Sequence, residues 1–285
     1  MIVNPVYVAK ILLTPLAAFL LGGTLYGLQR RLAARLQSRL GPPLWQPFLD
    51  VAKLLGKESR LANPWLAVCP RLQLAAATVA LVLFVLRADL LVILFVHMAG
   101  GAFLVVGGLG STSPYCQCAG QRQLWQMFAG ETLLFLLAAA LYMTTGSFGL
   151  EPLYALQQPL LFRLPLLFAA YLVALAIKMR KSPFDFAGAD HAHQELVGGV
   201  LTDYSGRHLA LAEVAHWFEV VLYLAIGSLF WTTNPAGGLL LALASFLAVN
   251  LLDNSAARLT WRWLLTRSWL AAAFLAVLNL LLLGR

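Results

Sequence analysis

The chain has 285 residues, of which 61 % are hydrophobic and only 11 % are Asp, Glu, Lys or Arg, whereas a soluble domain carries about 25 % charged residues. That composition excludes an ordinary water-soluble enzyme, a disordered chain, a collagen and a charged coiled coil, and leaves a polytopic membrane protein. The net charge is +8, and the three cysteines, Cys69, Cys116 and Cys118, are too few and too oddly numbered for a disulfide framework.

Apolar spans are predicted in chain order at 5–28, 66–86, 90–109, 124–145, 160–177, 209–231, 236–253 and 264–283. Each is close to the roughly 17–25 residues that cross about 30 Å of hydrocarbon. The expected fold class is therefore all-α, a membrane helix bundle of about eight helices forming one domain over residues 1–285. The first span lacks a basic leader and is too long for the core of a signal peptide, so it is expected to stay in the mature protein.

The basic residues fall in alternate loops. Arg30, Arg31, Arg35, Arg39, Lys53, Lys57 and Arg60 follow the first span, Lys178, Arg180, Lys181 and Arg207 follow the fifth, and Arg258, Arg262 and Arg267 follow the seventh. The intervening loops carry little beyond Arg87. By the positive-inside rule, both termini are expected outside and the loops at about 29–65 and 178–208 in the cytoplasm of a prokaryotic cell. The charge is thus topological, and no nucleic-acid partner is expected beside the lipid bilayer.

In the first long loop, Gly41-Pro42-Pro43 stops the helix and Trp45 to Glu58 resumes with helical spacing, Phe48, Val51, Ala52 and Leu55 sharing one face. Such a segment is either an interfacial helix lying on the membrane or a docking element for a soluble subunit. The second long loop gathers Asp185, Asp190, Glu195 and Asp203 with His191, His193 and His208. Turn-forming Pro183, Gly188, Gly198, Gly199 and Gly206 alternate there with Phe184, Phe186, Leu196, Val197 and Tyr204, which suggests a folded, buried loop rather than a plain solvated one. His191-x-His193 could ligate a metal, since imidazole is the commonest metal ligand, but two histidines alone are a weak signal.

Within the spans the ionisable candidates are His97, Glu131, Glu213, His216 and Glu219. A central charge costs about 2.5–3.5 kcal/mol on insertion scales, so such groups are kept for a reason. Measured from the expected span starts, Glu131 lies about 10 Å deep and Glu219 about 15 Å. Glu213, His216 and Glu219, at i, i+3 and i+6, fan over about one third of a helix surface. A di-iron bundle would need a second Glu-x-x-His pair and two further glutamates. The acids are then either hydrogen-bonded structural groups or a proton or ion relay, since burial in lipid favours the protonated carboxyl. Gly100, Gly101, Gly107 and Gly108 suggest close helix packing rather than a phosphate loop, and Cys116-x-Cys118 is expected on a short loop without a role.

Arg35-x-Gln37-x-Arg39-x-Gly41-Pro42, Gln46-Pro47-x-x-Asp50-x-x-Lys53-Leu54-x-x-Lys57-Glu58, and the run from Pro183-Phe184-Asp185 through Gln194-Glu195-Leu196-Val197 to Tyr204-Ser205-Gly206 resemble the complex I subunit 1 superfamily over nearly the whole chain. Two departures narrow the resemblance. Gly41-Pro42-Pro43 passes directly to Leu44-Trp45-Gln46-Pro47 without a second Gly-Pro, and Ala187 to His193 stands where quinone-reducing relatives have a shorter, more acidic stretch. With Arg207-His208-Leu209-Ala210 and Glu213-x-Ala215-His216-Trp217-Phe218-Glu219, the chain looks most like the B-type membrane subunit of Ech-like and CO-induced energy-converting nickel-iron hydrogenases.

That resemblance implies a non-catalytic, membrane-anchoring subunit that couples ferredoxin-type electron transfer and proton reduction to movement of H⁺ or Na⁺. It implies partners: hydrogenase large and small subunits, an iron-sulfur ferredoxin-like subunit and an antiporter-like membrane subunit. The nickel-iron centre and the iron-sulfur clusters would sit in those partners, with no cofactor and no metal in this chain. Asp185, Asp190, Glu195 and Asp203 would open a polar path continued by Glu213, His216, Glu219 and Glu131. Arg35, Arg39, Gly41, Pro42, Asp50, Lys53, Lys57, Glu58 and Arg207 would grip the soluble module. Two alternatives stand beside it: a quinone-site subunit of complex I or a formate hydrogenlyase subunit, and a passive scaffold without an ion path.

Overall fold

Apolar runs bounded by proline and glycine become helices almost throughout. The computed structural model describes residues 5–61, 63–184, 199–257 and 260–283. In order the helices are α1 (Pro5–Leu36), α2 (Gln46–Leu55), α3 (Trp65–Val85), α4 (Leu90–Leu109), α5 (Pro114–Thr145), α6 (Leu160–Arg163), α7 (Pro165–Lys178), α8 (Gly206–Ser228), α9 (Pro235–Ser255), α10 (Trp261–Trp263) and α11 (Leu270–Leu283). A π-helical turn, Leu264–Trp269, joins the last two. Among the described residues seven helices are long and apolar enough to cross a membrane, as an all-α membrane bundle requires.

Three boundaries differ from the sequence expectation. The span at 160–177 is broken at Leu164, because Pro165 opens a new helix that lacks the N–H a continuous one would use. The resulting α7 is about 21 Å long, short of the hydrocarbon thickness. Helix α1 runs on to Leu36, so Arg30, Arg31 and Arg35 belong to the helix, and Arg35 stands in its last turn, where a cation suits the helix dipole. Helix α5 begins at Pro114, which places Cys116 and Cys118 in its first two turns rather than on a loop.

The chain divides into two units. The first comprises Met1–Leu86, Val96–Leu124 and Phe186–Val221. In it α1 presents a glycine face. A Cβ on Gly22 would lie 2.7 Å from Trp217 Cβ, one on Gly23 2.4 Å from Phe48 Cζ, and one on Gly27 2.0 Å from Leu44 O. The absent side chains let Phe48 of α2 and Trp217 of α8 close on Phe19 of α1, with ring centroids 5.4–5.7 Å apart. Helix α2 buries Pro47 and Val51, while Ala52 and Leu55 are exposed, so its packed face is rotated from the expected one. Gly41, at φ +74°, turns the chain back so tightly that a Cβ would meet Ala34 Cβ at 2.8 Å.

The second unit comprises Arg87–Phe95, Trp125–Asp185 and Leu222–Arg285. Here α11 packs along α7. Its buried Asn279 repairs the break before Pro165: Oδ1 accepts from Leu167 N at 2.9 Å and Nδ2 donates to Arg163 O at 3.2 Å. Gln126 of α5 donates to Ile177 O at 3.0 Å and Phe184 O at 2.9 Å, tying down the chain that leaves α7. Asn234 caps α9, its side-chain oxygen accepting from Ala236 N at 3.0 Å with Pro235 at the first helical position.

Candidate functional site

Two acids lie near the middle of long helices. Glu131 stands about 25 Å along α5 from Pro114 and about 21 Å from its end; Glu219 stands about 20 Å along α8 from Gly206 and about 14 Å from its end. Glu131 is therefore farther from its helix start than the sequence expectation of about 10 Å, because α5 begins ten residues earlier. Both carboxylates are buried, at 2 % and 7 % residue exposure.

In the second unit Glu131 pairs with Lys178 Nζ at the end of α7. The sequence places Lys178 in a solvent-facing basic loop, yet its side chain is 10 % exposed, and its Nζ lies 5.6 Å from the Tyr223 ring centroid. Lys181 is likewise turned inward, 3.4 Å from Asp253, whose other oxygen accepts from Ser182 N at 2.9 Å. Removing one member of a buried pair costs about 3–5 kcal/mol.

In the first unit Glu219 Oε1 accepts from Gln73 Nε2 of α3 at 3.0 Å, and its Oε2 lies 3.6 Å from His216 Nδ1. Glu213 is half-buried on the same helix. Asp203 accepts from Ser111 Oγ. Beside it the Tyr204 ring is buried with its hydroxyl at the Cys69 thiol, and a Cβ on Gly107 would lie 2.1 Å from Tyr204 Oη. Burial, with Cys69, Cys116 and Asp203 adding to it, pushes the Tyr204 phenol well above its ordinary value of 10.0. Cys116 Sγ donates to Val200 O at 3.2 Å, and a Cβ on Gly108 would meet Val200 Cγ1 at 3.1 Å. Gly107 and Gly108 thus seat the chain entering α8, beyond the helix packing expected of them.

The two long loops meet. Ser59 Oγ donates to Ser205 O at 2.8 Å, Arg60 N donates to Ser205 Oγ at 2.9 Å, and Ser205 Oγ donates to Arg60 O at 2.8 Å. Of the docking candidates on these segments, Arg35, Arg39, Gly41, Lys53, Lys57, Glu58 and Arg207 are exposed, and Pro42 is half-buried. Asp50 differs from the other docking candidates. It accepts from Arg30 Nη1 at 2.7 Å and from Gln46 Nε2 at 2.9 Å, fastening α2 to α1. Partial burial raises the Asp50 carboxyl, but the bonds from Gln46 and Arg30 and the charges of Arg30 and Lys53 outweigh it and hold the group below its ordinary 3.8.

Asp185, Asp190 and Glu195, with His191 and His193, lie outside the described residues. Among the described residues no three His, Cys, Asp or Glu side chains gather as a metal site. Sequence reasoning missed Gln73, Ser111, Lys178 and Arg30 as partners of the acids. Gln73 carried the one usable signal, an amide inside an apolar span; the others sit where a loop or surface residue is ordinary.

The chain matches the family model described as NADH dehydrogenase over residues 9–284. It is 31 % identical to formate hydrogenlyase subunit 4 of Escherichia coli (strain K12) over 304 residues, which cover 95 % of this chain and 97 % of that one. It is also 31 % identical over 221 residues to a putative NADH-ubiquinone oxidoreductase of Methanocaldococcus jannaschii, covering 75 % of this chain and 72 % of the relative. Its fold is similar to a chain in the structure of the membrane-bound sulfane sulfur reductase, an archaeal respiratory membrane complex, with a TM-score of 0.79, 24 % identity, and coverage of 96 % and 99 %. The chain therefore belongs to the NADH dehydrogenase family, in the complex I subunit 1 line, and is a multi-pass membrane subunit of the complex I-like or hydrogenase-like kind.

Proposed function

We propose that this chain is the membrane-anchoring and ion-coupling subunit of an energy-converting hydrogenase, tying ferredoxin-type electron transfer and proton reduction to movement of H⁺ or Na⁺. The observation that carries the ion path is the pair of mid-helix acids, each held by polar partners inside its own unit: Glu131 by Lys178, and Glu219 by Gln73 and His216. A passive anchor has no use for such groups, whose insertion costs about 2.5–3.5 kcal/mol each at the bilayer centre. Asp203 and Glu213 extend the polar set towards the start of α8. The 95 % coverage by a formate hydrogenlyase subunit supports a hydrogenase-type complex in general, and it favours the formate-linked alternative equally. The joined loops, with their outward cations, suit a soluble module that carries the nickel-iron centre and the iron-sulfur clusters.

Glu→Gln keeps shape and hydrogen bonding but cannot release a proton. Glu219→Gln and Glu131→Gln are expected to cut ferredoxin-driven ion uptake into inverted vesicles at least tenfold, counted per assembled complex by dye-linked hydrogen evolution. Wild-type uptake by both variants would leave the passive scaffold.

A quinone-site subunit is the second reading, favoured by the name of the Methanocaldococcus jannaschii relative. Copurification separates the two. A nickel-iron large subunit in the purified complex supports the hydrogenase, and bound quinone with an NADH dehydrogenase module overturns it.

A further inference from the structure

Lys178 occupies a site in the second unit that is built for a lysine. Residue 130 is glycine, and a Cβ there would lie 2.6 Å from Lys178 Cε and 3.2 Å from its Cδ, so the lysine stem fills the space a side chain on α5 would take. The ammonium at its tip reaches Glu131, the next residue of the same helix, and has the Tyr223 ring 5.6 Å to the side. An aromatic face attracts a cation most strongly where water is excluded. The ammonium therefore has a carboxylate and an aromatic face in reach of one flexible stem, and its position at the last turn of α7 also suits a cation.

We propose that Lys178 is a positioning residue of the ion path, the movable counter-cation of Glu131. It rests on the ion-coupling reading given above. As carboxylate and ammonium the pair is neutral. When a proton arrives, an O–H bond forms on Glu131 and the pair gains one positive charge. The ammonium then withdraws towards Tyr223. It returns when Glu131 passes the same proton onward, and Lys178 keeps its own protons throughout. Gly130 is what leaves the stem room to make both positions.

The test uses the whole complex in inverted vesicles and reads proton uptake per hydrogen evolved from reduced ferredoxin, with dye-linked hydrogen evolution as the count of assembled complexes. Lys178→Gln is expected to lower uptake at least tenfold, and Lys178→Arg, which keeps the charge, to restore at least half of it. Wild-type uptake by Lys178→Gln while Glu131→Gln has lost it overturns the role of Lys178 and leaves the ion path standing. Wild-type uptake by both variants overturns the ion path and this proposal together. An assembled Lys178→Arg variant that pumps no better than Lys178→Gln also overturns it. Should Lys178→Gln fail to assemble, the E131Q/K178Q double variant decides: recovered assembly identifies an unpaired buried charge as the fault and supports the pairing, and unrecovered assembly overturns it.

Discussion

Ser205 and Arg60, 145 positions apart in the chain, exchange two hydrogen bonds: Arg60 N donates to Ser205 Oγ, and Ser205 Oγ donates to Arg60 O. The next residue, Gly206, has φ +52°, and a Cβ there would lie 2.8 Å from the carbonyl oxygens of Lys57 and Glu58. The start of α8 is thus clamped to the loop that follows α2. Ser205→Ala removes both bonds at about 1 kcal/mol each and is expected to loosen residues 57–60. Gly206→Ala adds left-handed strain of about 1–2 kcal/mol and a clash with backbone, and is expected to be worse. Protease cutting within 57–60 measures both; cutting at the wild-type rate in Gly206→Ala would refute the clamp.

The joint also fixes how topology is tested. It holds the loop after α1 and the start of α8 on one side, and the exposed cations Arg35, Arg39, Lys53, Lys57, Arg60 and Arg207 gather there. That side is expected to be cytoplasmic. Ser205 is a poor reporter, because its hydroxyl holds the joint. Single cysteines in place of the exposed Ser38 and Arg207, in a background lacking Cys69, Cys116 and Cys118, are expected to resist an impermeant thiol reagent in intact cells and to react once the membrane is opened. Labelling of both in intact cells reverses the orientation.

Docking of a soluble module is expected to depend on the outward cations and not on Asp50. Replacing Arg39, Lys53 and Lys57 together by alanine removes three exposed positive charges. Retention of partner subunits during purification is expected to drop several-fold, and more so as salt rises, since exposed charges act within about 10 Å at 0.1 M. Unchanged retention at moderate salt would assign the cations to orientation in the bilayer alone.

Asp50 carries a pH prediction whose sign follows from its lowered carboxyl. A group depressed on folding contributes stability above its unfolded value, near 3.8, and loses it as pH falls through the folded one. The Arg30 tie is therefore expected to be constant from pH 5 to 8 and to fail only below about 3.8. With both side chains around 40 % exposed, its worth is on the order of 0.2–1 kcal/mol. Melting of the purified complex from pH 7 to 3, wild type against Asp50→Asn, checks this. A difference between the two that varies between pH 5 and 8 would contradict the assignment.

Composition and hydrophobic runs alone determined the membrane bundle, because crossing about 30 Å of hydrocarbon leaves a chain few choices but apolar helices. The same physics marked Glu131 and Glu219 as costly groups that need a reason, and the loop motifs marked the family. Tertiary structure decided what those acids touch. Lys178 and Lys181 read as loop cations by position, and only the tertiary fold turned them inward, Lys178 to Glu131 of α5 and Lys181 to Asp253 of α9. Asp50 read as a docking charge by its place in the loop, and its bond from Arg30 came only with the folding of α2 against α1. The break at Pro165 interrupts a span read as continuous over 160–177, and its repair needed Asn279, more than 110 positions away. Periodicity reports which face of a helix is apolar; which polar group meets which is set by pairings distant in the chain, and those leave no mark on spacing.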